Sequence, residues 1–419
     1  MNKDEQSKKN DNWAIYLYIL PVGASTFAYG CYLGLAKQLG EILNSQDNFW
    51  WSYVLGYISK PFFILALSRL NIPNRQSTVL FLGPVIMGLA TISLPIVFYC
   101  NFSEQTTFYL FTLIRILQSA AVSMVFPSSL TLLQDNTPKE SRAFNNSLLN
   151  TLAGIGTLSS LFLGISSGII GRIDWSWVAI FAALLNFVSA GLRWWLKDNI
   201  SFEDDNVNAP IPIFPPSLQK APKLEIFYIL LVNAALAFYP HLTNTWWRLN
   251  APFFGLAIDN PINLINFNYS SLVGKTIAVC YRPICGKVSQ QYGVETVAVY
   301  SLITALTTLP IFYMCSISGL TLLLYFGQIM VGIIAGFITS SINHVLHDHY
   351  EHIDSDSLNI GYLWHFSNGL VSIPLVAVAS TLLNIKSREL YLAVLVIVLL
   401  ASILAINRLN KIKINREKL

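Results

Sequence analysis

The sequence is short of charge, of histidine and of cysteine, and each shortage excludes something. Of 419 residues only 11% are Asp, Glu, Lys or Arg, where an ordinary soluble domain carries about 25%. With 54% hydrophobic residues and a mean hydropathy of +0.53, a water-soluble globular fold is excluded. The 26 basic and 22 acidic residues leave a net charge of +4, too small and too scattered to grip phosphates, so no nucleic-acid partner is expected. The five cysteines, Cys31, Cys100, Cys280, Cys285 and Cys315, lack the spacing of a metal site or a disulfide framework and read as small apolar packers. No metal and no cofactor is expected. Acidic residues are missing from the middle of every long apolar stretch. There is also no acidic metal cluster, no Ser/His/Asp grouping and no phosphate-cradling glycine loop, so the chain does not read as an enzyme.

What is there is long apolar segments. A membrane crossing takes about 20 predominantly apolar residues, and twelve candidates can be read: 14–38, 49–69, 77–99, 106–133, 146–170 and 176–195, then 225–248, 265–286, 294–316, 319–345, 358–383 and 389–407. The predicted fold is all-α and integral to the membrane, twelve helices in two six-helix bundles. An N-terminal half, 1–197, is joined by a polar, Pro-rich linker, 198–223, to a C-terminal half, 224–419, and the near-equal halves suggest an internal duplication. The polar stretch Met1–Asn12 precedes an apolar run without a small-residue cleavage pattern, so the first helix is expected to stay in the membrane. With both termini cytoplasmic, seventeen Lys and Arg, Arg193 and Lys197 among them, fall on the inner side against Arg172, Lys386 and Arg388 outside, a strong positive-inside bias.

Six basic residues remain within spans: Lys37, Lys60, Arg115, Arg248, Lys275 and Arg282. Lys37 and Arg248 lie near span ends and can reach the interface. A charge near the bilayer midplane instead faces a water-filled path or a partner. A cavity lined by Lys60, Arg115 and Arg282 without a buried carboxylate is expected to be electropositive and to favour a ligand with a carboxylate or another anionic group. The competing reading is that these side chains tie helices together through backbone carbonyls. Four histidines, His344, His347, His349 and His352, cluster among acids where span 10 ends. They read as a solvated loop, with a divalent-metal or pH-sensing site as the alternative.

Several motifs carry a family resemblance. Arg115-Ile-Leu-Gln118-Ser119 resembles the R-x-x-Q-G pattern of the major facilitator superfamily, and its three polar positions share one helix face. Gly286 to Gly293 is similar to that family's loop G-x-x-x-D-R-x-G, with Gln290 in place of the aspartate. Lys60-Pro61, Arg282-Pro283, Arg142-Ala143-Phe144 with Ser147, and Asp174-Trp175-Ser176-Trp177 look most like the metabolite:proton symporters, a group that includes bacterial proline/betaine transporters. That group's acids in span 1 and after R-x-x-Q-G are absent here, where Ser25 to Gly30 and Ser123 to Val125 stand.

The resemblance implies a monomeric transporter in a bacterial inner membrane, moving a zwitterion or carboxylate by alternating access and coupled to protons. A proton-independent uniporter or exchanger of an organic anion, or a solute receptor of the same fold, is the alternative. Binding and coupling residues are then Arg115, Gln118, Lys60, Arg282, Lys275, Tyr29, Tyr32, Tyr281, Tyr362, Trp364, His365 and Asn368. Gating falls to Gly286, Gln290 and Gly293, and to Tyr239 and Pro240, which read as a break in span 7 beside a cavity.

Overall fold

A computed structural model describes residues 12–34, 39–40, 42–43, 46–69, 75–138, 141–170, 174–196, 223–250, 261–351, 366–367, 369–371 and 388–417. Their longer elements are all helices: α1 (Asn12–Ile19), α2 (Pro21–Gly34), α3 (Gln46–Arg69), α4 (Arg75–Tyr99), α5 (Glu104–Asp135), α6 (Arg142–Ile170), α7 (Trp175–Leu196), α8 (Lys223–Asn250), α9 (Pro261–Tyr292), α10 (Val294–Ile317), α11 (Thr321–Glu351) and α12 (Arg388–Glu417). Helix is what such composition dictates, because in hydrocarbon each backbone N–H and C=O must be satisfied within its own segment. Six of the described helices are long and apolar enough to cross a bilayer unaided: those spanning Ser77–Tyr99, Glu104–Leu133, Trp175–Leu196, Val294–Ile317, Thr321–His349 and Glu389–Arg416. Large side chains exposed along them, Val188 (68%), Leu404 (67%) and Leu322 (80%), would be costly in water and are at home against lipid.

Local departures from the expected spans have local causes. The first span divides at Leu20 because Pro21 has no N–H to continue α1, and it opens α2 instead. Gly293 ends α9 and precedes α10 at φ 86°, a left-handed conformation that glycine adopts freely. Helix α8 passes through Tyr239 and Pro240 without interruption, so the expected break in span 7 is corrected to continuous helix. Helix α11 runs on to Glu351 and buries His344, His347 and His349. The solvated loop expected there is likewise a helix end, held down by partners described below. The linker and nearly all of the expected span 358–383 lie outside the described residues.

The chain divides into two compact units. One comprises 1–142, 152–215 and 356–366, the other 143–151, 216–355 and 367–419. In the first, α4 packs on α5 and α7, and α3 packs on α5; in the second, α9 packs on α11, α8 on α12 and α10 on α11. Lipid tails are as apolar as leucine, so association rests on close approach and on polar ties between helices. Ser25 Oγ donates to Asn186 Oδ1 at 2.9 Å, and Ser52 and Thr112 share a hydrogen bond of 2.8 Å. In the second unit Asn233 Nδ2 donates to Ser367 Oγ at 2.9 Å. Apolar packing fills between: Phe49, Phe98, Phe111 and Trp175 form one cluster, with Trp175 edge-on to Phe98 at 5.2 Å.

The Asp174-Trp175-Ser176-Trp177 entry is explained by capping. Asp174 Oδ1 accepts the Ser176 N–H at 3.1 Å, the N-cap bond of α7, and Oδ2 accepts the Tyr99 hydroxyl at 2.9 Å. The Ser176 N–H foremost, and the Tyr99 hydroxyl after it, hold the Asp174 carboxyl below its ordinary range. Its stabilisation is present above the unfolded carboxylate value and is lost as pH falls through the lower folded value. Thermal midpoints measured across acid pH should show Asp174→Ala less stable by about 1 kcal/mol near neutrality, with the difference vanishing in acid.

Gly156 of α6 presses on α2, where a Cβ would meet the Gly23 carbonyl, the Thr26 hydroxyl and Phe27 N, the last at 2.9 Å. Gly156→Ala should therefore cost roughly 1–3 kcal/mol of overpacking. Gly191→Ala, where a Cβ meets nothing within 4 Å, should leave the melting temperature in detergent unchanged or slightly raised.

Candidate functional site

The first unit gathers a cationic, aromatic cluster from four helices. Arg115, Gln118 and Ser119 stand at i, i+3 and i+4 on α5 and so face one way. Tyr29 comes from α2, Tyr57 and Lys60 from α3 at i and i+3, and Thr91 from α4. Arg115 Nη1 donates to Gln118 Oε1 at 2.8 Å and to the Tyr29 carbonyl at 3.3 Å. Gln118 Nε2 in turn donates to Thr91 Oγ1 at 2.9 Å, which fixes its amide orientation. Ser119 Oγ donates to the Tyr29 hydroxyl at 3.4 Å.

The electrostatics of the cluster follow from its rings. Lys60 Nζ lies 3.9 Å from the Tyr57 ring centroid and 4.3 Å from that of Tyr29. The Arg115 guanidinium carbon is 4.5 Å from the same Tyr29 ring. Arg115 is fully buried and Lys60 is 9% exposed, while Tyr29 and Tyr57 are half-buried and form the accessible side. Among the described residues no carboxylate pairs with Lys60, and the partners shown for Arg115 are an amide, a carbonyl and a ring face. Pro61 adds a local feature: it lacks the N–H that would bond the Tyr57 carbonyl one turn back.

The second unit holds Arg282, which is therefore not brought together with Arg115 and Lys60 inside one unit. It follows the tie reading: Arg282 Nη1 donates to the Asn150 backbone carbonyl. Around it, Asn343 Nδ2 donates to Asn150 Oδ1 at 3.2 Å, and Ser340 Oγ donates to the Arg282 carbonyl at 3.4 Å. Ser147 lies 2.5 Å from the Ser340 hydroxyl and 3.3 Å from His344 Nε2. Gly286 sits against Ser147 and Phe144. Gln290 is exposed and Lys275 half-buried. Tyr281 packs against Phe337 at 6.2 Å, Tyr239 is buried, and Tyr32 and Pro240 lie within α2 and α8. Tyr362, Trp364, His365 and Asn368 lie outside the described residues.

Sequence reasoning missed two sites. Arg193, counted as an inner-side charge, is fully buried. Its Nε donates to the Tyr18 carbonyl at 3.1 Å, Nη1 to the Leu80 carbonyl at 2.5 Å and Nη2 to Ser129 Oγ at 3.0 Å. The available signal was Asn186, Ser189 and Arg193, which recur at helical spacing on the buried face of α7, just before the exposed Trp194 and Trp195. Glu225, read as a helix-end acid, is also fully buried. Its Oε1 lies 2.6 Å from His349 Nε2 and accepts from Arg416 Nη1 at 3.0 Å, while Oε2 accepts from Arg416 Nη2 at 2.6 Å. Lys413 beside it bridges Glu295 and Asp348, so α8, α10, α11 and α12 are joined by charge. Among the described residues no grouping of His, Cys, Asp and Glu could hold a metal ion.

Buried cations within long apolar helices mark a functional site of some kind, and sequence comparison decides which kind. The model of the Major Facilitator Superfamily matches residues 20–357. The chain belongs to the major facilitator superfamily. This facilitator also shares its fold with a solved structure described as a bacterial homologue of the iron transporter ferroportin in an outward-facing state. The TM-score is 0.67 at 15% identity, over 96% of this chain and 98% of that one. No curated protein matches it in sequence. As a facilitator it is a membrane transporter rather than an enzyme.

Arg115 and Arg193, the two fully buried arginines described in the first unit, should separate cleanly. Hydrogen bonds to a charged group contribute roughly 1.5–3 kcal/mol each, so Arg193→Ala should abolish recovery of monodisperse protein by size-exclusion chromatography. Arg115→Ala, which loses the bonds of Nη1 to the Gln118 side chain and, at a longer 3.3 Å, to the Tyr29 carbonyl, should remain folded with a modestly lower melting temperature.

Proposed function

We propose that this facilitator is a secondary transporter of a small polar organic solute bearing a carboxylate or comparable anionic group, and that Arg115 and Lys60 of the first unit receive that group. The observation that carries the reading is two buried cations sharing the Tyr29 ring, with Lys60 unmatched by any carboxylate among the described residues. A charge so placed costs roughly 2.5–3.5 kcal/mol on the insertion scale, an expense that cargo of opposite sign offsets each cycle. Gln118, anchored by Thr91, holds one nitrogen of Arg115, so occupancy at Arg115 is felt along α4 as well as α5.

Proton coupling is supported by the R-x-x-Q-G-like stretch and by the likeness to metabolite:proton symporters. The absence of acids at that group's span 1 and span 4 positions favours, as the second reading, a proton-independent uniporter or exchanger of an organic anion. An iron ion, the cargo named for ferroportin, suits this cluster poorly. Divalent metals take carboxylate, imidazole or thiolate ligands, whereas Lys60 and Arg115 repel them. Lys275 and Tyr281 in the second unit remain proposed binding residues there, and Gly286, Gln290 and Gly293 proposed gating residues, while Arg282 acts as a tie to the Asn150 carbonyl. We place the transporter in an inner membrane with both termini cytoplasmic, as the distribution of Lys and Arg favours.

Uptake of radiolabelled carboxylates and amino acids into proteoliposomes, with and without a pH gradient, tests the reading. Arg115→Ala should lower uptake roughly 10- to 100-fold, the equivalent of one charge-assisted bond. Wild-type uptake by that variant removes Arg115 from the mechanism. Accumulation that needs the gradient supports symport, and equal uptake without it supports the uniporter.

A further inference from the structure

We propose that Lys60 is a resident cation filling the aromatic box that a substrate ammonium would need, so that the cargo is a net anion and not a zwitterion. The inference rests on the reading of Arg115 and Lys60 as the groups that receive cargo, and it narrows that cargo's class. A cation is held by a ring when it stands over the face within about 6 Å of the centroid, and paired aromatic faces are the usual receptor for substituted ammonium groups. Tyr57 and Tyr29 form such a pair, and Lys60 Nζ occupies it at 3.9 Å and 4.3 Å. The guanidinium of Arg115 takes a further position on Tyr29 at 4.5 Å.

An amino acid or betaine arriving here would find its carboxylate welcome and its ammonium refused. The ring faces are in use, and a third positive charge would join two others where water is scarce and like charges repel strongly. A carboxylate with an uncharged remainder meets only attraction. The box is also built to hold its lysine. Tyr57 and Lys60 are one helical turn apart on the same face of α3, and Ser119 fixes the Tyr29 hydroxyl from α5. Only 9% of Lys60 is exposed, so its ammonium is not free to swing away into solvent while the rings stay in place.

Isosteric ligand pairs that differ only in the ammonium isolate this effect. The pairs are betaine with 3,3-dimethylbutanoate, 4-aminobutanoate with pentanoate, and 3-aminopropanoate with butanoate. Each is added to the purified full chain in lipid nanodiscs, and binding is read as a rise in melting temperature. At least one uncharged-tail carboxylate should stabilise the wild type while its ammonium partner, at tenfold higher concentration, does not. Lys60→Met, unbranched and one atom shorter, keeps the apolar stem and removes the charge from between the rings. It should tighten binding of the ammonium partner roughly tenfold, the order expected of a desolvated cation–π contact, and weaken the plain carboxylate. Lys60→Arg should preserve the wild-type order.

Betaine or another ammonium partner stabilising the wild type as well as its carbon isostere, with Arg115→Ala abolishing both, overturns the resident-cation inference and leaves the anion-transporter reading intact. A carboxylate whose binding is untouched by both Lys60→Met and Arg115→Ala overturns the two together. Silence from all three plain carboxylates overturns the net-anion assignment.

Discussion

Holding a positive charge where water cannot reach it is the constraint around which the first unit is arranged. Three side chains face it and find different solutions. Arg193 surrounds its fork with two carbonyls and a hydroxyl, oxygens contributed by three other helices. Lys60 uses the negative faces of two tyrosines, and Arg115 uses one of those same faces together with the Gln118 amide. The first solution is closed: every partner is supplied by the protein and the guanidinium locks helices together. The other two are cations that share the Tyr29 ring between them.

The same distinction shows how far residue type and position can be read before structure. Hydropathy windows located the described helices because apolar length is a property of the chain alone, and the shared face of Arg115, Gln118 and Ser119 follows from a fixed rise and twist per residue. Burial at a helix end does not. Arg193 sits beside Trp194 and Trp195 and looks interfacial by position, yet it turns inward against Tyr18 and Leu80 while the tryptophans turn out. Tyr57 is not legible in the sequence, because a tyrosine in an apolar run has no charge to flag it. What makes it part of the site is the lysine one turn later, together with a ring from another helix.

The second unit answers a related problem with the opposite sign. Glu225 is an acid at the first turn of its helix, where the helix dipole favours negative charge. Its complete burial is supported by the forked contact with Arg416 and the short contact with His349. The histidine segment that reads as a solvated loop is helical because those partners need it there. His349 meets Glu225, His344 meets Ser147, and Asp348 between them meets Lys413. Four separate helices thereby share one charged knot, and none of those contacts can be inferred from the spacing of the histidines, since every partner is distant in sequence.

Arg282 completes the comparison. It precedes a proline, as Lys60 does, and by sequence the two steps look like duplicated versions of one feature. Their surroundings differ in kind. Lys60 rests on π faces, which are weakly attractive to any cation and indifferent to direction, whereas Arg282 donates to the carbonyl of Asn150, a directed bond inside a cluster of amides and hydroxyls. Two steps alike in sequence thus meet different surroundings, aromatic faces in one unit and a backbone carbonyl in the other.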